Sequence, residues 1–205
     1  MTVEPDYSPV RYNPGDYPSF SAEMGIGNQH VYWRRVTPPD ASAEAMVVRA
    51  LGSGSNGVGY YMYQGGTTPR NENGFQSDHP MGVPLMSYDF KAPLAEFGFT
   101  RPTYRGLNFC IFLLMIWNIL APMGIVLPED AQTIMPTDQT KLRYAVRKKE
   151  NSGFVFINNF QDHSPRINLR ASIEIETSEG IRRFPSVGEI TFKKDMSAIF
   201  PFNLE

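Results

Sequence analysis

The sequence predicts an α/β fold followed by an antiparallel β-domain, and three observations carry that prediction. A strand, loop, helix, strand order runs through residues 19–63, the pattern of a βα unit in a parallel sheet. A stretch at 122–140 with three prolines and several acids reads as an interdomain linker. From Lys141 the periodicity changes to short alternating runs separated by turn signals, as in an antiparallel β-domain. The expected division is therefore 1–121, 122–140 and 141–205, the last unit showing no obvious closing strand.

The elements follow in order. Residues 1–17 are rich in Pro, Tyr, Asp and Gly and predict a loop or arm. Ser19 to Met24 predicts a short strand, followed by the glycine-bearing loop Gly25-Ile26-Gly27-Asn28. Thr37-Pro38-Pro39-Asp40 signals a helix start, because proline is tolerated in the first turn and Asp40 or Ser42 can cap. The alanine-rich helix runs through 41–51, and Gly52 stops it. Gly57 to Tyr63 is the next strand, ended by Gly65-Gly66. A long polar excursion from Thr67 to Val83 follows, of the length usually reserved for functional loops. Leu85–Phe90 and a helix from about Pro102 to Leu120 complete the first unit. Beyond Lys141, the candidate strands are 142–147, 153–158, 170–176, 190–193 and 199–202.

Composition narrows the class. Apolar content of 41% with 20% charged residues belongs to a globular chain. A net charge of −2 from intermixed signs gives no footprint for nucleic acid. The single cysteine, Cys110, rules out an internal disulfide framework and a cysteine-based zinc site. The apolar run from Phe109 to Trp117 is far short of the roughly 20 residues that span a bilayer, so it predicts a buried helix rather than a membrane segment. With so little charge, such a helix needs cover on every side and is sticky where cover is missing. His30, His79 and His163 lie far apart without metal-ligand spacing. The glycine-rich run at 51–59 lacks a following Lys-Ser/Thr and is not a phosphate loop. Arg147-Lys148-Lys149 reads as a solvated face.

The chemistry concentrates in two strings, YYMYQGGT at 60–67 and SYDFKAPLAEFG at 87–98. Aromatic residues beside Asp, Gln and Thr suit a surface that covers the apolar face of a sugar ring and bonds its hydroxyls. These strings resemble the YMY/F-x-GGTN and SYDYDAPL segments of glycoside hydrolase family 35, the retaining β-galactosidases. PSFSAEMGIGNQ at 18–29 looks like the strand-end segment that carries the family's nucleophile, and SGFVFINNFQDHSP at 152–165 looks like the opening of its β-domain. The resemblance covers roughly residues 17–205. It implies the C-terminal portion of a (β/α)8 TIM barrel ahead of the β-domain, with the 67–83 excursion over the barrel mouth, where such enzymes keep their sites.

The resemblance also assigns roles. Glu23 would be the catalytic nucleophile, Tyr61 would line the galactose subsite, and Phe90 would pack against the sugar where the family commonly has tyrosine. Tyr88 and Asp89 are expected to brace the strand end by hydrogen bonding, Gly65 and Gly66 to permit a tight turn, and Tyr32 and Trp33 to serve either an outer subsite or the core. No metal or cofactor is implied. Retaining hydrolysis requires a second carboxyl about 5–5.5 Å from the nucleophile. The family carries it in an Asn-Glu pair on an earlier strand, and no such pair precedes Glu23. The expectation is a β-galactosidase-like chain that is inactive alone, with a β-galactoside-type carbohydrate as ligand and self-association through exposed barrel edges. The rivals are a non-catalytic carbohydrate-binding or assembly module and a truncated remnant.

Overall fold

The computed structural model describes residues 11–75, 81–83, 85–116 and 120–204. After a 3-10 turn at Pro14–Asp16, the chain forms β1 (Phe20–Gly25), β2 (His30–Val31), α1 (Asp40–Gly52) and β3 (Gly57–Tyr61). Five two-residue strands follow: β4 (Gly66–Thr67), β5 (Arg70–Asn71), β6 (Gly74–Phe75), β7 (Gly82–Val83) and β8 (Ser87–Tyr88). Next come α2 (Pro102–Ile116) and β9 (Gly124–Val126). The remainder is strand: β10 (Arg143–Lys149), β11 (Ser152–Asn158), β12 (Leu169–Ala171), β13 (Ile173–Thr177), β14 (Gly180–Phe184), β15 (Ile190–Phe192) and β16 (Ser197–Phe202).

This architecture corrects the α/β expectation and the barrel portion it implied. The described chain is about 16% helical and 36% strand, a mostly-β protein with two short helices. Among the named strands, parallel pairing is confined to β1 and β3; the other ladders are antiparallel. The physical reason lies after Gly65. Proline and glycine interrupt 65–102 so often that each ladder there, β4–β8, β5–β6 and β2–β7, stops at two residues. One strand–helix–strand unit does not repeat into the eight that close a barrel.

The main sheet is antiparallel, in the order β16-β11-β10-β9. Its strand β9 lies inside the segment expected as a linker. Central β11 is apolar from Gly153 to Ile157 because both of its faces are covered there. Phe154 and Phe156 point to α1 and join Val47, Val48, Leu51, Leu107 and Ile199 in one core. Val155 and Ile157 point the other way and meet Ile173, Ile175 and Phe192 from the smaller pairs β13–β14 and β12–β15. Helices, main sheet and the smaller strand pairs thus form three layers. The first core draws on residues before and after 122–140.

α1 begins after Pro39 without a side-chain cap, while Ser42 Oγ donates back to the Pro39 carbonyl at 2.6 Å. The helix takes in Gly52, and the left-handed glycine that lets the chain turn away is Gly54, at φ 105°. On α2, Leu107, Cys110 and Leu113 are buried against the core, whereas Phe109, Phe112 and Met115 are 52–79% exposed. The missing cover anticipated from the sequence is therefore a property of this helix's outer face. Trp117, where the apolar run ends, lies outside the described residues. Burial pushes the Cys110 thiol up to about 12, with the charge of Glu44 adding to the effect, so it is inert as a nucleophile at neutral pH.

Glu44 itself lies between the helices, over Gly106, and burial raises its carboxyl pKa above the ordinary value. A raised carboxyl pKa means that the charged form is disfavoured on folding. The penalty is absent below the ordinary carboxylate pKa and complete above the raised one. Glu44→Gln is therefore expected to raise the melting temperature at neutral pH. The gain should vanish once the pH falls below the usual carboxylate range, and thermal melts of both proteins across that range would check it.

Candidate functional site

The site is assembled on the outer face of the β1–β3 pair. Successive strand residues point to opposite faces. Met24 and Tyr60, which are register partners, face the core, and this sends Glu23 and Tyr61 to the other side. The register is not simple. Ser21 pairs with Val58 and Met24 with Tyr60, so Ala22 and Glu23 together oppose the single residue Gly59. That is a β-bulge, a device that turns a side chain out of the regular pleat. Gly59 makes it feasible, because a Cβ there would lie 2.2 Å from the Ala22 carbonyl oxygen.

Three rings gather around Tyr61, on the side of the β1–β3 pair that also carries Glu23. The Tyr88 and Phe90 centroids are 4.3 Å apart, and each lies 6.4 Å from that of Tyr61. The Tyr61 and Tyr88 hydroxyls meet as a hydrogen-bonded pair. All three rings are part-exposed and Glu23 is exposed, so the cluster borders solvent rather than filling a core. The Tyr88 hydroxyl pKa is raised, first by burial and then by the negative charge of Glu23, which places that carboxylate within electrostatic reach.

The scaffold fixes the rings from several directions. β4 holds β8 in register, with Gly66 opposite Tyr88. Phe90 sits at φ 48° and Lys91 at φ 57°, a left-handed pair that costs on the order of 1–3 kcal/mol per residue. The pair is pinned by the Asn28 amide donating to the Phe90 carbonyl at 2.8 Å and by Lys91 bridging Asp40 at 2.9 Å. Lys91 Nζ also donates to the Pro38 carbonyl at 2.7 Å. Beneath the rings, Asp89 accepts from Arg101 at 2.5 Å and from the Glu96 amide at 3.1 Å. Gly65 packs so closely against this turn that a Cβ would lie 2.5 Å from Asp89 Oδ1.

Of the residues expected at the site, Tyr61 and Phe90 come together in the ring cluster, and Glu23 lies on the same face of the β1–β3 pair. Asp89 braces the turn as expected, through its bonds to Arg101 and Glu96. Tyr88 does not merely support the strand end. It stacks beside Phe90 and carries the hydroxyl partner of Tyr61. No strand period announces it, because β8 ends at Tyr88 and the left-handed turn at Phe90 is what brings the two rings together. Tyr32 and Trp33 are 71% and 65% exposed, at the surface rather than in the core. The 67–83 excursion reaches the 28–31 loop through β2–β7, where His30 pairs with Val83. His79 lies outside the described residues.

The arrangement offers one carboxylate and a ring-lined, solvent-facing surface. The neighbouring Asp89 is committed to Arg101 and the Glu96 amide, and among the described residues no group of three His, Cys, Asp or Glu side chains could hold a metal ion. No protein-family model matches the chain, and no curated protein matches it.

Proposed function

We propose that this chain binds a β-galactoside-type sugar at the cluster formed by Glu23, Tyr61, Tyr88 and Phe90, and that it does not hydrolyse the sugar alone. The carrying observation is a cluster of three part-exposed rings from two segments on the face that also carries the exposed Glu23, whose charge acts on the Tyr88 hydroxyl. Rings of this kind cover the C–H face of a hexopyranose, and the paired tyrosine hydroxyls and Glu23 are positioned to bond its hydroxyls. The resemblance to glycoside hydrolase family 35 supports a galactoside in particular, and it makes Glu23 the nucleophile-type carboxylate. Double displacement, however, also needs an acid/base carboxyl at about 5–5.5 Å, and Asp89 is tied up in its salt bridge.

The test is saturation-transfer NMR and calorimetry with methyl β-galactoside, run beside hydrolysis of a chromogenic β-galactoside. Wild type is expected to bind without turnover. Phe90→Ala should weaken binding about three- to tenfold, the size of an aromatic contact, while Glu23→Gln should change affinity by less than about threefold. Turnover that disappears in Glu23→Gln would overturn the binding-only reading. A sugar that receives no magnetisation from the protein would sink the site altogether.

A further inference from the structure

On the opposite side of α1 from α2's packing face, the structure contains a concavity of about 580 Å³, between α1, the 127–136 segment and the sheet strands β10 and β11. We infer that it is a binding site for a small organic anion: an apolar, ring-bearing molecule with one carboxylate. This site is separate from the Glu23 cluster and does not depend on the reading given to that cluster.

The size is that of a ligand pocket rather than a packing defect, since such sites run to roughly 300–1,000 Å³. Its walls are apolar: Ala45, Met46 and Val48 of α1, Phe156 of β11, and Ile134 and Phe160 from the flanking segments. Several of these are already buried, so the floor is firm; Val48 and Phe156 are 1% and 2% exposed. A firm apolar floor means that an apolar guest displaces water without first ordering the walls.

Charge selects the guest's polar end. Two guanidinium groups, Arg49 and Arg143, line the cavity against one carboxylate, Asp162. Arg143 is spent within the fold: it donates to Gln161 at 2.9 Å and to the carbonyls of Met135, Pro136 and Asp138 at 2.9–3.3 Å. Asp162 is likewise turned aside, accepting the His163 amide at 3.0 Å and facing its imidazole at 3.6 Å. Arg49 differs. It is exposed, and no ion pair of the described residues includes it. The electrostatics agree with this arrangement, because Arg143 has its pKa lowered by burial and by the positive charges of Arg166 and Arg49, with Asp138 only partly offsetting them. A carboxylate entering beside Arg49 would relieve that crowding and could be held in two-point fashion. The rings of Phe156 and Phe160 in the lining favour an aryl body over an open alkyl chain.

The test uses naphthylacetate and its neutral amide as probes, titrated into the 15N-labelled full chain and read by amide shifts. Naphthylacetate should give saturable shifts confined to α1, 127–136 and the β10–β11 strands, with the amide binding at least about tenfold more weakly. Arg49→Gln should remove that preference while leaving the melting temperature unchanged, since its side chain is exposed. Ala131→Phe should fill the cavity from its rim and abolish binding of both probes. Equal affinity for acid and amide would overturn the assignment. So would shifts centred on the exposed Phe109 and Phe112 of α2, or an Arg49→Gln protein that keeps the full preference. Methyl β-galactoside run against the same variants separates this site from the other, because neither substitution touches the Glu23 cluster.

Discussion

Arg147→Ala is expected to lower the unfolding free energy by about 3–5 kcal/mol, the largest effect of any single substitution considered for this chain. The side chain is 2% exposed although it belongs to an Arg-Lys-Lys run. It leaves β10 on the α1 side of the sheet and donates to the Ser55 carbonyl at 2.8 Å, Asn56 Oδ1 at 2.8 Å and the Leu120 carbonyl at 2.5 Å. Longer contacts reach the Leu51 and Met123 carbonyls, each at 3.4 Å. One guanidinium thereby ties the end of α1, the entry to β3 and the segment after α2 to the main sheet. Removing it leaves buried acceptors without donors and a cavity where the fork had been. Arg147→Lys should recover less than half of the loss, because an ammonium cannot span acceptors held in a planar fan. Urea unfolding of the three proteins would decide it. An Arg147→Ala protein within about 1 kcal/mol of wild type would mean that the network is incidental.

Gly59→Ala is the second large effect, and it joins stability to the sugar site. The added methyl would meet Ala22 O at 2.2 Å, Ala22 C at 2.9 Å and Ser21 O at 3.0 Å. All three are backbone atoms, so no rotamer change relieves the clash, and β1 must move away from β3 or lose its bulge. Loss of about 2–3 kcal/mol is the expected outcome, typical of overpacking that forces backbone shifts. Because Glu23 stands on the bulge and Tyr61 on its partner strand, methyl β-galactoside binding should fall at least about tenfold even where the protein remains folded. Gly25→Ala serves as control. Nothing lies within 4 Å of a Cβ there, so stability should stay within about 0.5 kcal/mol. Full sugar affinity in Gly59→Ala would show that the bulge does not aim Glu23.

These two positions mark where the sequence was legible and where it was not. Gly59 lies in a run that reads as strand, and no local signal distinguishes a glycine required by a neighbour's carbonyl from one that merely starts a turn. Arg147 read as solvated because its two followers are lysines, and Lys149 is indeed exposed. Its burial depends on carbonyls contributed from residues 51–56 and 120–123, which no window around position 147 contains. The ring cluster was more accessible. Tyr61 and Phe90 were singled out by the aromatic strings and the family resemblance they carry, whereas Tyr88 joins them through the left-handed turn at Phe90, which no strand period announces.

What the amino-acid sequence determined by itself is local: α1 between its prolines and Gly52, and the hairpin β10–β11 from alternation and an apolar run. These follow from backbone periodicity and side-chain type, which act between near neighbours. The tertiary structure alone decided that one helix-linked parallel pair would not repeat into a barrel. It also decided that β9 would leave the 122–140 stretch to join the main sheet, and that an arginine would be desolvated to hold two halves together. Strand pairing and desolvation are settled between residues far apart in the chain, by which carbonyls, rings and glycines meet once the core has closed.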